Sequence, residues 1–81
     1  MKKWKCSDYT KKLVRERIRK EYECMKSVGT LNDLDYYYGR ASGQLGAFFV
    51  VAEAISYGIY DAYTDFFLHL YIEKKKEIEG R

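Results

Sequence analysis

Proline is missing from this 81-residue chain, histidine and tryptophan occur once each, and cysteine occurs twice. Without proline, any interruption of a helical pattern has to come from glycine or from capping side chains. One histidine and no C-x-x-C pair leave a structural zinc site without its ligands. On one extended helix, Cys6 and Cys24 would stand about 27 Å apart, beyond the roughly 7 Å reach of a disulfide. An apolar signal-peptide core is also lacking, because Met1-Lys2-Lys3-Trp4-Lys5-Cys6-Ser7-Asp8 runs on into charged residues. Both absences favour a reducing, cytoplasmic setting.

The residues that are present narrow the class. Apolar residues make up 47% and charged residues 33%, which excludes collagen-like and low-complexity chains and argues against full-length disorder. A chain of this size buries only about 60% of its unfolded surface, so it forms one domain whose core is marginal unless a partner completes it. The net charge of +3 conceals a division. Residues 1–28 hold ten basic and four acidic side chains, net +6, whereas residues 29–81 hold five and eight, net −3. Such a chain can pair its own halves, pair with an antiparallel second copy, or offer its basic part to nucleic acid or an anionic membrane.

Helical periodicity organises the domain. After a basic arm at 1–6, Ser7 or Asp8 caps a helix over 7–28, with Gly29 as its C′ stop. Val14, Ile18, Tyr22 and Met25 fall within one arc of about 80°, with Val28 at its edge. Lys11, Arg15, Arg19 and Lys26 form a basic stripe beside that arc, diluted by Glu16, Glu21 and Glu23. Thr30 or Asn32 then caps a second helix. From Leu31 the apolar residues Leu34, Tyr38, Ala41, Leu45, Phe48, Ala52, Ile55, Ile59, Ala62 and Phe66 recur three and four apart, which favours helix over strand. Gly39, Gly43, Gly46 and Gly58 each cost about 1 kcal/mol relative to alanine in a helix, so they mark kinks or close packing. A break near Gly58 gives helices at 31–57 and 60–79; the rival is one helix from 31 to 78.

With Leu45, Phe48, Ala52, Ile55, Ile59 and Ala62 on the seam, Phe49, Val50, Tyr57, Tyr60, Tyr63, Phe67, Leu68 and Tyr71 are left on flanking or opposite faces. One neighbouring helix cannot cover them all, and large exposed apolar patches usually mark interfaces. The bland alternative is that the other helices fold around the second and the tyrosines keep their hydroxyls in water.

Signals for chemistry are weak. Asp61, Asp65, His69, Glu73 and Glu77 recur every four residues, but each step drifts about 40°, so Asp61 and Glu73 cannot reach one ion. Asp65, His69 and Glu73 are the residues a metal-dependent enzyme would use, with ligands added from another helix; a solvated acidic stripe explains them more simply. Glu53, the lone charge between Leu45 and Tyr60, is either a buried carboxylate with a raised pKa or a solvent-facing residue paired with an arginine such as Arg40. Gly39-Arg40-Ala41-Ser42-Gly43-Gln44-Leu45-Gly46 lacks the preceding strand and the Lys-Ser/Thr end of a phosphate loop. Of the adjacent Tyr36, Tyr37 and Tyr38, at most part can share one surface. Residues 41–60 are long enough for a membrane span, but Gln44, Glu53, Ser56 and Tyr57 oppose it.

The sequence therefore predicts an all-α protein, a small three-helix bundle or long helical hairpin completed by self-association, with a homodimer favoured. The expected function is that of a non-enzymatic accessory protein, without a cofactor, that binds and masks a protein partner. Its interface residues are Phe48, Phe49, Ile55, Tyr60, Tyr63 and Phe67, steered by the basic helix. The alternative is a nucleic-acid binder using Lys11, Arg15, Arg19 and Lys26, with Lys2, Lys3, Trp4, Lys5, Lys12 and Lys20 in support.

Overall fold

A computed structural model of the chain describes residues 6–80. Three α-helices, α1 (Asp8–Ser27), α2 (Leu31–Gly46) and α3 (Tyr57–Glu79), form an all-α bundle, and a π-helical turn (Ala47–Val51) extends α2. Each α-helix begins at a side-chain cap. Ser7 Oγ accepts from the Thr10 N–H at 3.2 Å, Thr30 Oγ1 from the Asp33 N–H at 3.1 Å, and Ser56 Oγ from the Ile59 N–H at 3.4 Å. A hydroxyl at this position satisfies one of the amides that the first helical turn leaves without a partner.

α1 stops differently from the sequence expectation. Among the described residues no glycine has a positive φ, so Gly29 is not a left-handed stop. Val28 turns into extended backbone instead, with φ −69° and ψ 150°. A cation arriving from α3 then serves the exposed carbonyls: buried Lys74 donates from Nζ to the Lys26 carbonyl at 2.9 Å, with Glu77 Oε2 at 3.5 Å. An ammonium at a helix C-terminus complements the dipole there.

The break between α2 and α3 lies at Ala52–Ser56 rather than at Gly58, which occupies the first turn of α3. The single helix from 31 to 78 is likewise not formed. Backbone bonding explains the site. The Ala52 N–H reaches the Ala47 carbonyl at 2.9 Å, and the Ala54 N–H reaches the Phe48 carbonyl at 2.8 Å. Glu53 between them sits at φ 50°, the left-handed region that costs a non-glycine residue about 1–2 kcal/mol. Ser56 then restarts the chain.

Past Ile59 the buried positions of α3 depart from the continuous seam. Leu34, Ala41, Leu45, Ile55 and Ile59 are buried as the continuous seam requires, but Ala62 and Phe66 face outward. Tyr63 and Phe67 take their places, followed by Leu70 and Lys74. The core therefore unites Val14, Ile18, Met25 and Val28 with Leu34, Ala41, Leu45, Ala54, Ile55, Ile59, Phe67 and Leu70. α2 packs against both other helices. The chain measures 43 × 19 × 18 Å, so the bundle is two helix diameters across and every helix keeps one face in water.

The glycines of α2 are not close-packing sites. A methyl group at Gly39, Gly43 or Gly46 would meet nothing within 4 Å.

Candidate interaction surfaces

Glu21 occupies a core position of α1, 2% exposed. Two donors from α2 satisfy its carboxylate: Arg40 Nε at 2.9 and 3.1 Å and Gln44 Nε2 at 2.6 Å. Arg40 also donates from Nη2 to Cys24 Sγ at 3.7 Å and lies 4.9 Å from the Tyr37 ring centroid. The bond to Glu21 raises the Arg40 pKa above its ordinary value, so the guanidinium stays charged. Arg40 thus pairs with Glu21 and not with Glu53. Glu53 is exposed in the connecting turn, which removes the buried-carboxylate reading.

At the opposite flank of α2, Tyr71 donates its hydroxyl to Asp35 Oδ1 at 2.7 Å while its ring lies 4.7 Å from that of Tyr38. The Tyr71 pKa is raised, first by that hydrogen bond and then by desolvation. Of Tyr36, Tyr37 and Tyr38, two share a surface: the Tyr36 and Tyr37 rings meet edge to face at 5.0 Å with Arg40 against Tyr37, whereas Tyr38 meets Tyr71.

Asp65, His69 and Glu73 are all exposed on α3. His69 Nδ1 lies 2.9 Å from the Asp65 carbonyl and 3.4 Å from Asp65 Oδ2, an arrangement closed within one turn of helix. Among the described residues, no three His, Cys, Asp or Glu side chains come together as a metal site.

The expected interface residues divide into two groups. Ile55 and Phe67 are fully buried within the single chain and belong to its own core. Phe48, Phe49, Tyr60 and Tyr63 are half-buried, packed against that core with part of each side chain outside. Phe49 stacks on Tyr60 at 4.9 Å and approaches Tyr57 at 5.9 Å. Around them the π-helical turn contributes Ala47, Phe48, Phe49, Val50 and Val51, none of which is buried. Val51 is 80% exposed, Val50 69% and Tyr57 64%. One end of the bundle therefore presents a run of apolar side chains in which Glu53 is the only charge between Leu45 and Tyr60.

The alternative site residues lie where the sequence put them, on the flank of α1. Lys11 is half-buried, Arg15, Arg19 and Lys26 are exposed, and Lys26 Nζ lies 5.8 Å from the Tyr22 ring centroid. An open depression of about 540 Å³ runs along this flank, lined by Asp8, Lys11, Lys12, Arg15, Glu16 and Arg19. Lys2, Lys3, Trp4 and Lys5 lie outside the described residues.

Sequence reasoning missed Glu21 as a structural anchor, Lys74 as a cap, and the exposure of Val51 and Phe66. For Glu21 a signal existed: positions 14, 18, 21, 25 and 28 share the three-and-four spacing of the core face, and a carboxylate there requires a buried partner.

No protein-family model, curated protein or solved structure matches the chain. No helix among the described residues is long and apolar enough to cross a membrane.

Proposed function

We propose that this is a small, non-enzymatic helical accessory protein that self-associates, a dimer being favoured, and acts by covering the surface of a protein partner. One observation carries the proposal: the five consecutive apolar residues Ala47–Val51 form a turn with no buried member, at an end where Tyr57 is also exposed. Apolar surface removed from water contributes about 25 cal/mol per Å², so such an end gains most when another protein seats on it.

A second copy is the occupant that fits. The end offers rings and branched carbons with a single carboxylate, and a twofold contact sets this patch against itself, which an apolar surface satisfies without requiring an opposite charge. Phe48, Phe49, Tyr60 and Tyr63 anchor the contact, with Val50, Val51 and Tyr57 completing it. The cations of α1 steer association with an acidic partner surface. The two cysteines are free thiols, which suits the reducing cytoplasm in which the protein is proposed to work.

Sedimentation velocity across a concentration series tests the reading. The wild type is expected to sediment as a dimer and Val51→Asp as a folded monomer. Val51 is chosen because its exposure lets a carboxylate enter water without disturbing the core. A wild type that stays monomeric at the highest concentration would contradict the reading.

A further inference from the structure

Phe66 belongs to the core by the sequence pattern, yet on α3 it is 44% exposed. It does not stand alone. Its ring lies 5.5 Å from that of Tyr22 across the line where α1 and α3 meet. Tyr22 is half-buried, and the ammonium of Lys26 sits 5.8 Å from its centroid. Arg19 and Lys26 are three residues before and four after Tyr22, so they flank it one turn away on either side.

The cations extend well beyond this pair. Lys11, Lys12, Arg15, Arg19 and Lys26 fall within about 100° of the α1 circumference and span roughly 22 Å along it. Glu21, which the sequence counts among the acids diluting this stripe, is withdrawn into the core by Arg40 and Gln44. Glu16 and Glu23 lie just outside that sector and Asp8 lies within it at the start of α1, so that Asp8 and Glu16 share the depression with Lys11, Lys12, Arg15 and Arg19.

We infer that this seam binds single-stranded nucleic acid, with phosphates along the α1 cations and a base stacked on the exposed face of Phe66. An aromatic face beside a row of cations recognises unpaired bases, because stacking tolerates any sequence and the cations release condensed counterions. A duplex offers phosphate to the same cations but no base to the ring. An anionic membrane is the poorer match, since surface helices insert a free apolar face, and that of α1 is consumed by the core through Val14, Ile18 and Met25. This inference is independent of the proposed self-association, which uses the other surface.

The test is fluorescence anisotropy of the full chain with labelled oligo-dT and oligo-U of about 20 nucleotides in about 50 mM salt. Both strands are expected to bind, more tightly than a duplex of equal length, and affinity is expected to fall as salt rises. Arg15→Glu with Arg19→Glu is expected to weaken binding by at least about tenfold. Phe66→Ala is expected to weaken it by about fivefold or more. Circular dichroism of both variants is expected to match the wild type, because all three side chains are exposed. Lys75→Glu with Lys76→Glu on α3 is expected to leave affinity within about twofold. No binding to either strand, equal or tighter binding of the duplex, full affinity in Phe66→Ala, or binding confined to phosphatidylserine vesicles would each overturn the inference.

Discussion

The buried carboxylate of Glu21 and the guanidinium of Arg40 join α1 to α2 through Nε contacts of 2.9 and 3.1 Å. This pair fixes the register of the two helices, because a carboxylate at a core position tolerates only the alignment that brings its donors. Losing Arg40 alone should therefore be worse than losing both charges, since the buried Glu21 carboxylate would keep only the neutral Gln44 donor against its desolvation cost. Arg40→Met is expected to lower the melting temperature more than the double variant Glu21→Leu Arg40→Met, which replaces the pair with apolar volume. Thermal denaturation of the two proteins checks the order; a double variant less stable than Arg40→Met would show that the pair adds more than mutual compensation.

Two substitutions involving glycine should each stabilise the fold. Gly43 lies on an open helical face where an added methyl would meet nothing within 4 Å, so Gly43→Ala is expected to add about 1 kcal/mol by helix propensity. Glu53 stands at φ 50° and is exposed, so Glu53→Gly is expected to add about 1 kcal/mol by relieving the left-handed strain. Urea denaturation of the single variants measures both; a loss in either would place an unseen contact at that position.

Alkaline stability should depend on Tyr71. Its hydroxyl donates to Asp35 at 2.7 Å, and its pKa in the folded chain is raised above the ordinary value of 10.0. The folded state then holds a proton that the unfolded state releases first, so the contribution is complete below about pH 10 and is lost as pH rises through the folded value. Melting temperatures between pH 8 and pH 11 are expected to fall less steeply for Tyr71→Phe than for the wild type. Parallel curves would remove the Tyr71–Asp35 bond from the alkaline transition.

Much of the fold was legible because the informative residues act locally. Ser7 and Thr30 are capping residues directly before apolar periodicity, and both cap helices. The α1 arc of Val14, Ile18 and Met25 is buried. What the pattern could not supply was the place of the break and the face that α3 turns to the core. Ala52–Ser56 contains neither proline nor glycine, and its geometry comes from a π-helical turn and a left-handed glutamate, neither of which has a compositional mark. Along α3 the core takes Phe67 in place of Phe66 and Tyr63 in place of Ala62, and Phe67 and Ile55 belong to the chain's own core. Long-range polar pairing was equally hidden. Arg40 lies 19 residues from Glu21 and Lys74 lies 48 from Lys26, so only the packed helices bring them together.

The exposed end formed by Ala47–Val51 and Tyr57 is the centre of the account, and the mass of the protein in solution tests it most directly. Sedimentation velocity on the wild type and on Val51→Asp, with circular dichroism to confirm helicity, is expected to give a dimer for the first and a folded monomer for the second. A wild type that remains monomeric at the highest concentration, or a Val51→Asp protein that still dimerises, would contradict it.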